Sequence, residues 1–441
     1  MTDLTTPPRQ ATPSTIITLE PDATGPTEER IPKGYVPTVT LSAFGLYLAI
    51  FAPTIGGLSV KIQGLVGLER APLHLGIVSG VAMVVALVVQ PLAGRLSDRT
   101  MSRFGMRRPW LIGGIIGLVI FTVCAGLAPN TFWLTIAMAF ASLFGNLAFA
   151  AQAATLADQV PEAKRGGPSG LIGAATPLGI LVASVMLMVL PTDLLRFAIP
   201  ALVGLVLGFI FAFTLRDKVR TLPPTEKLNV LQILGSFVFN PRKHPDFGWA
   251  WLSKMFVLIG YGSVTGYLTL YLGVAYGMDT TQQLAFNATA NLIAVGSLVV
   301  FSVIFGFISD KVGRRKPFVM VGGLMISVGV LIVAASPAIG GLNLILVGEL
   351  VIGVGAGIFF AVDQALCIAV LPDPNDTAKD LGVLNIANTL PGAISPFLAG
   401  VLVIPLGEIL FPGGGYIVWF VLSAVIAIAG AFAVTRIRSV R

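Results

Sequence analysis

Three charged side chains stand inside long apolar stretches of this chain: Lys254, Glu349 and Asp363, with Arg196 at the edge of another. An ionisable group at membrane depth costs about 2.5–3.5 kcal/mol on insertion scales, so each is a candidate for work on a proton or a solute. Glu349 and Asp363 share one stretch. At about 100° per residue their separation falls about 40° short of four turns, which sets both along roughly one helix face, about 21 Å apart. That is too far for two acids sharing a proton. It suits one group towards each mouth of a pathway, and either could carry a proton or simply hold a structural hydrogen bond. Gly353, Ala356 and Gly357 lie between them. Lys254 sits about one turn into its own stretch, and snorkelling to the interface is expected of it.

Amides recur at helical spacing: Asn287 with Asn291, Asn385 with Asn388, and Asn146 and Gln152 within one stretch. Each supplies paired donors and acceptors, which suits sugar hydroxyls. Hydrogen bonding between helices would use the same groups. Tyr47 and Phe51 stripe one stretch and Tyr267 another, as rings that stack on a sugar face or as plain packing.

Other chemistry is poorly served. The two histidines, His74 and His244, lie outside the apolar cores, so no histidine metal cluster and no Ser/His/Asp set is credible. Cys124 and Cys367 both fall in apolar runs. No Walker glycine loop with its lysine is present, which argues against ATP drive. No cofactor or metal is expected, and the chain does not read as an enzyme.

The elements that must position these residues follow from composition. The chain has 441 residues, of which 55% are apolar and 11% charged, with a mean hydropathy of +0.89. A soluble domain carries about 25% charged residues. This excludes a cytosolic enzyme and a disordered chain, and leaves an all-α membrane protein. Twelve apolar stretches reach or approach the roughly 20 residues needed to span the hydrocarbon. They fall at 36–60, 73–94, 109–128, 131–157, 168–190, 194–215, 248–275, 281–308, 317–336, 342–370, 381–406 and 412–435.

An even number of spans puts both termini on one side. Of the 28 Lys and Arg, 24 lie in the terminal segments and even-numbered connections, while Lys61, Arg70 and Arg196 lie on the opposite side. The positive-inside rule then places both termini in the cytoplasm. Sorting by membrane side accounts for the basic charge, so nucleic acid is not a partner. Residues 1–35 read as a flexible tail and 216–247 as a cytoplasmic linker with an apolar stretch from Leu228 to Phe239. The linker divides six spans (36–215) from six (248–437).

The two halves repeat. Gly94-Arg-Leu-Ser-Asp98-Arg99 returns as Gly306-Phe-Ile-Ser-Asp310-Lys311, and Gly105-Met-Arg107-Arg108-Pro109 as Gly313-Arg314-Arg315-Lys316-Pro317. Phe149-Ala-Ala-Gln152 parallels Phe360-Ala-Val-Asp363, and the landmarks recur 208 to 212 residues apart. Duplicated six-span halves are the sign of a carrier with its site between them.

On these loops the chain resembles the major facilitator superfamily, over about residues 36–437. The longer first loop, Ser97 to Pro109, is similar to the sucrose-transporter and glycoside–pentoside–hexuronide branch. The resemblance implies two pseudo-symmetric six-helix bundles and proton- or cation-coupled sugar symport. It departs at span 4, where Gln152-Ala153-Ala154 stands in place of the sucrose carriers' arginine and Met138 lies near the superfamily's. A carboxylate at a helix end among arginines can bridge two bundles in one conformation and release in the other. Gly94, Asp98, Arg99, Gly105, Arg107 and Arg108 are the expected gate, with Asp310, Arg314 and Arg315 as its echo.

The sequence thus reads as a monomeric, twelve-span secondary transporter of the cytoplasmic (inner) membrane. Its partners are the lipid bilayer, a small polar solute (a sugar or glycoside by preference) and protons. The alternative is proton-driven efflux of an amphipathic compound. Glu349 and Asp363 are the coupling candidates. Tyr47, Phe51, Asn146, Gln152, Tyr267, Asn287, Asn291, Asn385 and Asn388 are the solute-binding candidates.

Overall fold

Long apolar segments in a bilayer must satisfy every backbone group internally, which leaves the helix as their form. The computed structural model bears this out over residues 31–219, 241–371 and 377–439. Most of the 1–35 tail and the Leu228 to Phe239 stretch lie outside the described residues. Twelve helices are long and apolar enough to cross a membrane. They are α1 (Tyr35–Val66), α2 (Ala71–Asp98), α3 (Arg108–Leu127), α4 (Thr131–Gln159), α5 (Gly166–Val189), α6 (Asp193–Thr214), α7 (Pro245–Tyr276), α8 (Thr280–Val312), α9 (Lys316–Ile339), α10 (Gly341–Ala369), α11 (Val383–Leu410) and α12 (Gly415–Arg436). No strand occurs among the described residues. The architecture is all-α, in two six-helix bundles.

Several ends are set by local chemistry. Asn130 and Thr192 cap α4 and α6 by accepting from the backbone N–H groups of Trp133 and Leu195. Asp279 and Gln282 form a reciprocal capping box at α8. Proline opens α3, α7 and α9, where its missing N–H costs nothing.

Within each bundle, helices meet through glycine. A Cβ placed on Gly204 of α6 would lie 2.6 Å from the carbonyl oxygen of Gly45 on α1. Between α9 and α10, a Cβ on Gly322 would lie 2.8 Å from the oxygen of Gly355, and one on Gly329 2.7 Å from that of Gly348. Without a hydrophobic drive between helices in lipid, backbone contact of this kind supplies the packing.

The helix ends near the basic loops are called here the basic face, and the opposite ends the distal face. The halves meet along α2 with α11 and α5 with α8. Close approaches cluster towards the distal face: a Cβ on Gly76 would lie 2.8 Å from Pro396 O, and one on Gly80 3.0 Å from the Phe397 ring. Span 1 is interrupted there. A π turn over Pro53–Gly57 contains Gly56 at φ 172°, outside helical geometry, and Leu58 N–H bonds back to Pro53 O.

Two of the three distal cations share one acid. Lys61 and Arg196 both reach Asp193, at 3.7 and 3.3 Å. Lys61 also donates to Gly126 O at 3.0 Å and Arg196 to Leu190 O at 3.0 Å.

Candidate functional site

Spans 1, 7 and 10 are the most enclosed, with 72%, 61% and 61% of their apolar windows buried, so they form the interior. Their polar groups fall at matching positions in the two halves. In the first, Ser42 of α1 donates to Gln152 of α4 at 2.7 Å, and both are buried. In the second, Lys254 Nζ of α7 lies 2.8 Å from Asp363 Oδ2 of α10, at 2% and 3% exposure. Lys254 also donates to Gln364 at 3.2 Å, and Cys367 Sγ donates to Asp363 at 3.7 Å. Snorkelling is therefore incorrect for Lys254: the nearby carboxylate holds its head inside the protein.

Aromatic rings lie beside both pairs, although only Phe149 and Phe360 stand at equivalent positions. Tyr47 meets Phe149 edge-on at 5.8 Å, and Tyr261 meets Phe360 edge-on at 5.7 Å. Phe51 stacks on Tyr47 at 5.7 Å. One turn beyond Phe360, Gln364 is exposed. A glutamine facing hydrocarbon would be costly, so this side of α10 is read as facing water.

Glu349 is 5% exposed and has no hydrogen bond or ion pair among the described residues. The face between Glu349 and Asp363 is no open path. A Cβ on Gly353 would collide with Ser297 and Ala294 of α8, and one on Gly357 would lie 2.7 Å from Leu298 O. That face is sealed against α8.

The amides are mostly committed. Asn287 donates to Ile55 O at 2.6 Å, across the two halves, and to Thr269 Oγ1 at 2.7 Å, while accepting from Asn291 at 2.9 Å. Asn146 donates to Ser142 O at 2.8 Å on its own helix. Tyr267 is 1% exposed and donates to Pro396 O at 2.6 Å, so it serves the core of the second half. Asn385 and Asn388 are exposed on α11, and Asn385 donates to Gln90 of α2 at 3.3 Å.

On the basic face Arg107 is 5% exposed and ties α2 to α4. Its guanidinium lies 2.5 Å from Asp98 and 2.9 Å from Asp158, and donates to Ser97 at 2.6 Å. Burial opposes its charge, but the hydrogen bond and field of Asp158, with Asp98, outweigh that and hold its pKa above the ordinary value. All these partners of Arg107 lie in the first half, so in this conformation it braces one bundle. Arg99 lies one residue beyond the Asp98 end of α2.

Asp217, which sequence reasoning missed, accepts from the backbone N–H of Arg107 at 2.8 Å and of Arg108 at 2.7 Å. Gly105 has φ +108°, and a Cβ there would collide with the Asp217 carboxylate. A Cβ on Gly94 would meet open space.

The echo repeats the scaffold and not the ion pairs. Gly313 also has positive φ, +67°. Arg108 donates to Leu215 O after α6, as Lys316 does to Ile437 O after α12, at 2.5 Å. Arg315 reaches only a carbonyl, Ala365 O at 2.7 Å. Asp310 and Arg314 are exposed and form no ion pair among the described residues. The reason lies on α10, where Ala369 occupies the place of Asp158.

The sequence profile of the Major Facilitator Superfamily matches residues 35–396 and 282–441. The chain is 26% identical over 271 residues to a Staphylococcus aureus (strain COL) protein named as a proline/betaine transporter, and spans 55% of that protein's length. A Staphylococcus haemolyticus protein of the same name is 24% identical over 379 residues, covering 79% of this chain and 78% of that one. The multidrug resistance protein MdtG of Proteus mirabilis is 26% identical over 273 residues, covering 61% and 65%. Among solved structures, the nucleoside transporter NupG aligns with a TM-score of 0.72 at 14% identity, over 91% of this chain and 99% of that one. A bacterial homologue of the lysosomal transporter Spinster aligns at 0.67 and 16%, over 92% and 99%. These likenesses support the fold. None of these names points to the sucrose-carrier branch.

Proposed function

This chain belongs to the Major Facilitator Superfamily, and from that membership we propose that it carries a small polar solute by alternating access, driven by protons. The family makes it a multi-pass membrane transporter rather than an enzyme. In this reading residues 36–215 and 248–437 are the moving units and 216–247 joins them. The basic face lies in the cytoplasm, as the charge sorting supports.

The observation that carries the coupled reading is Glu349, a buried acid with no partner among the described residues. A carboxylate there has no counter-charge among the described residues, which makes Glu349 the candidate to carry a proton. By the register of Gly353 against Ala294, Glu349 lies near the level of Asn291, whose amide leads through Asn287 to the Ile55 carbonyl of the other half. Taking up or releasing a proton at Glu349 therefore acts beside the distal closure.

For the solute, Gln152, Asn146 and Asn287 have buried or half-buried protein partners, so a sugar or glycoside draws its support from the exposed Asn388 and from Asn385, whose exposed amide also donates to Gln90. The edge-on ring pairs, together with the name of the Proteus relative, support a second reading, efflux of an amphipathic compound.

The test is transport by full-length protein in proteoliposomes, over a panel of sugars, zwitterions and amphipathic cations, with and without a pH gradient. Glu349→Gln is expected to keep solute counterflow and lose gradient-driven accumulation. Full accumulation in that variant would reject coupling at Glu349.

A further inference from the structure

The halves perform one structural task in two ways. Where the first helix meets the fourth, the first half uses Ser42 and Gln152. At the equivalent place the second half uses Lys254 and Asp363. The neutral pair shows that the fold does not need charge at this position. Burying two charges carries a desolvation cost that their attraction only roughly offsets, so an ion pair is no better as a brace. The charges therefore have another use.

Access and chemistry narrow that use. Lys254 donates to Gln364, whose side chain is exposed, so the ammonium lies one residue from an open side of α10. Tyr261 and Phe360 line the same side, one turn away. A solute that takes the place of either partner must supply the charge it displaces. A neutral solute offers neither charge a replacement. A simple anion would satisfy Lys254 and strand Asp363, and a simple cation the reverse. A stranded buried charge costs about 3–5 kcal/mol. A solute carrying both charges replaces both partners at once, with no change in net charge.

We propose that Lys254 and Asp363 are the receptor for a zwitterionic solute, whose carboxylate takes Lys254 while its cationic end takes Asp363 beside the Tyr261–Phe360 pair. A cation over such rings gains about 0.5–2 kcal/mol. The inference rests on the carrier reading above and supplies its substrate class. It agrees with the names of the staphylococcal relatives.

The experiment uses counterflow, which needs no gradient, with L-proline and glycine betaine as probes. Choline, propionate and sucrose are the cation-only, anion-only and neutral controls. The key variant copies the first half, Lys254→Ser with Asp363→Gln. Wild type is expected to exchange a zwitterion and none of the controls. The double variant is expected to melt within a few degrees of wild type and to lose at least about tenfold in exchange, the loss of one partner interaction worth about 1.4 kcal/mol. Undiminished zwitterion exchange in the double variant would overturn the receptor. If that variant does not fold, Lys254→Arg decides: an unchanged KM overturns the inference, and a KM raised several-fold supports it. Wild-type exchange of sucrose without any zwitterion would overturn the inference and leave the carrier standing. Exchange of none of these five solutes would overturn the inference, and the wider panel above decides the carrier reading.

Discussion

The side-chain amide of Asn287 donates to the backbone carbonyl of Ile55 at 2.6 Å, joining α8 of one half to the interrupted part of α1 in the other. This bond stands where the distal ends close. Asn287→Ala should weaken the closure by about 1 kcal/mol, the usual net worth of a hydrogen bond, and raise the distally open population about fivefold. Spin labels at Glu69 and Thr281, both exposed at that end, in a Cys124→Ser background, would read the shift as a longer distance. An unchanged distance distribution would remove Asn287 from the closure.

Arg107→Gln leaves Asp158 and Asp98 facing each other without their shared cation. Asp98 is 56% exposed, so solvent screens its part and the cost falls mainly on the Asp158 contact. About 2 kcal/mol of stability should go, seen as a lower melting temperature of the purified protein, together with a slower initial rate of counterflow. Arg107→Lys should recover only part, because one ammonium cannot reach Asp98, Asp158 and Ser97 with the geometry of a guanidinium. Full recovery by lysine would show that charge alone matters there.

Gly105→Ala meets two obstacles, a left-handed backbone and the Asp217 carboxylate. The backbone part should cost about 1–3 kcal/mol. Alanine at 217 takes the carboxylate out of the clash but keeps the Asp217 Cβ, 2.5 Å from the new methyl, so the steric part should ease without vanishing. A double-mutant cycle with Asp217→Ala is therefore expected to show coupling of about 0.5–3 kcal/mol, and purely additive melting shifts would deny that the two residues touch.

Gly204→Val should separate α1 from α6, since its Cβ would be driven into the backbone of Gly45. Overpacking of this kind costs about 1–3 kcal/mol. The check is the yield of monodisperse protein and its melting temperature. Gly94→Ala, at a position with open space around it, should be close to neutral in the same assay.

The spans were legible because the bilayer leaves the backbone one local solution, and hydropathy reports it. Boundaries moved little: α7 starts at Pro245 and α8 runs on to Val312, which puts Asp310 in its last turn. What stayed hidden was pairing across the chain. Lys254 looks like any lysine near a membrane surface until Asp363, 109 positions later and the counterpart of Gln152 in the Ser42–Gln152 pair, is brought against it. Asn287 offered a plausible sugar ligand because nothing local reveals that Ile55 and Thr269 occupy its amide. For Tyr267 the burial and the bond to Pro396 O favour the packing reading over the stacking one. Asp217 carried a weak signal, as an acid directly after span 6, but its use depends on the positive φ of Gly105. The motif repeat showed that the basic loops were related. It did not reveal that Asp158 completes a brace in the first copy, so Ala369 at the matching place on α10 carried no warning.

The interruption of α1 has a mechanical corollary. A regular helix must melt a rung of its ladder before it can bend, and each rung resists. Between Pro53 and Gly57 the chain has already given up that regularity, and the Ile55 oxygen is held by a side chain from the far lobe. Swinging the lobes apart at this point exchanges one amide contact for water and leaves the rest of the helix intact. The molecule is thus pre-creased, and the crease lies where it unfolds its two leaves with the least disturbance.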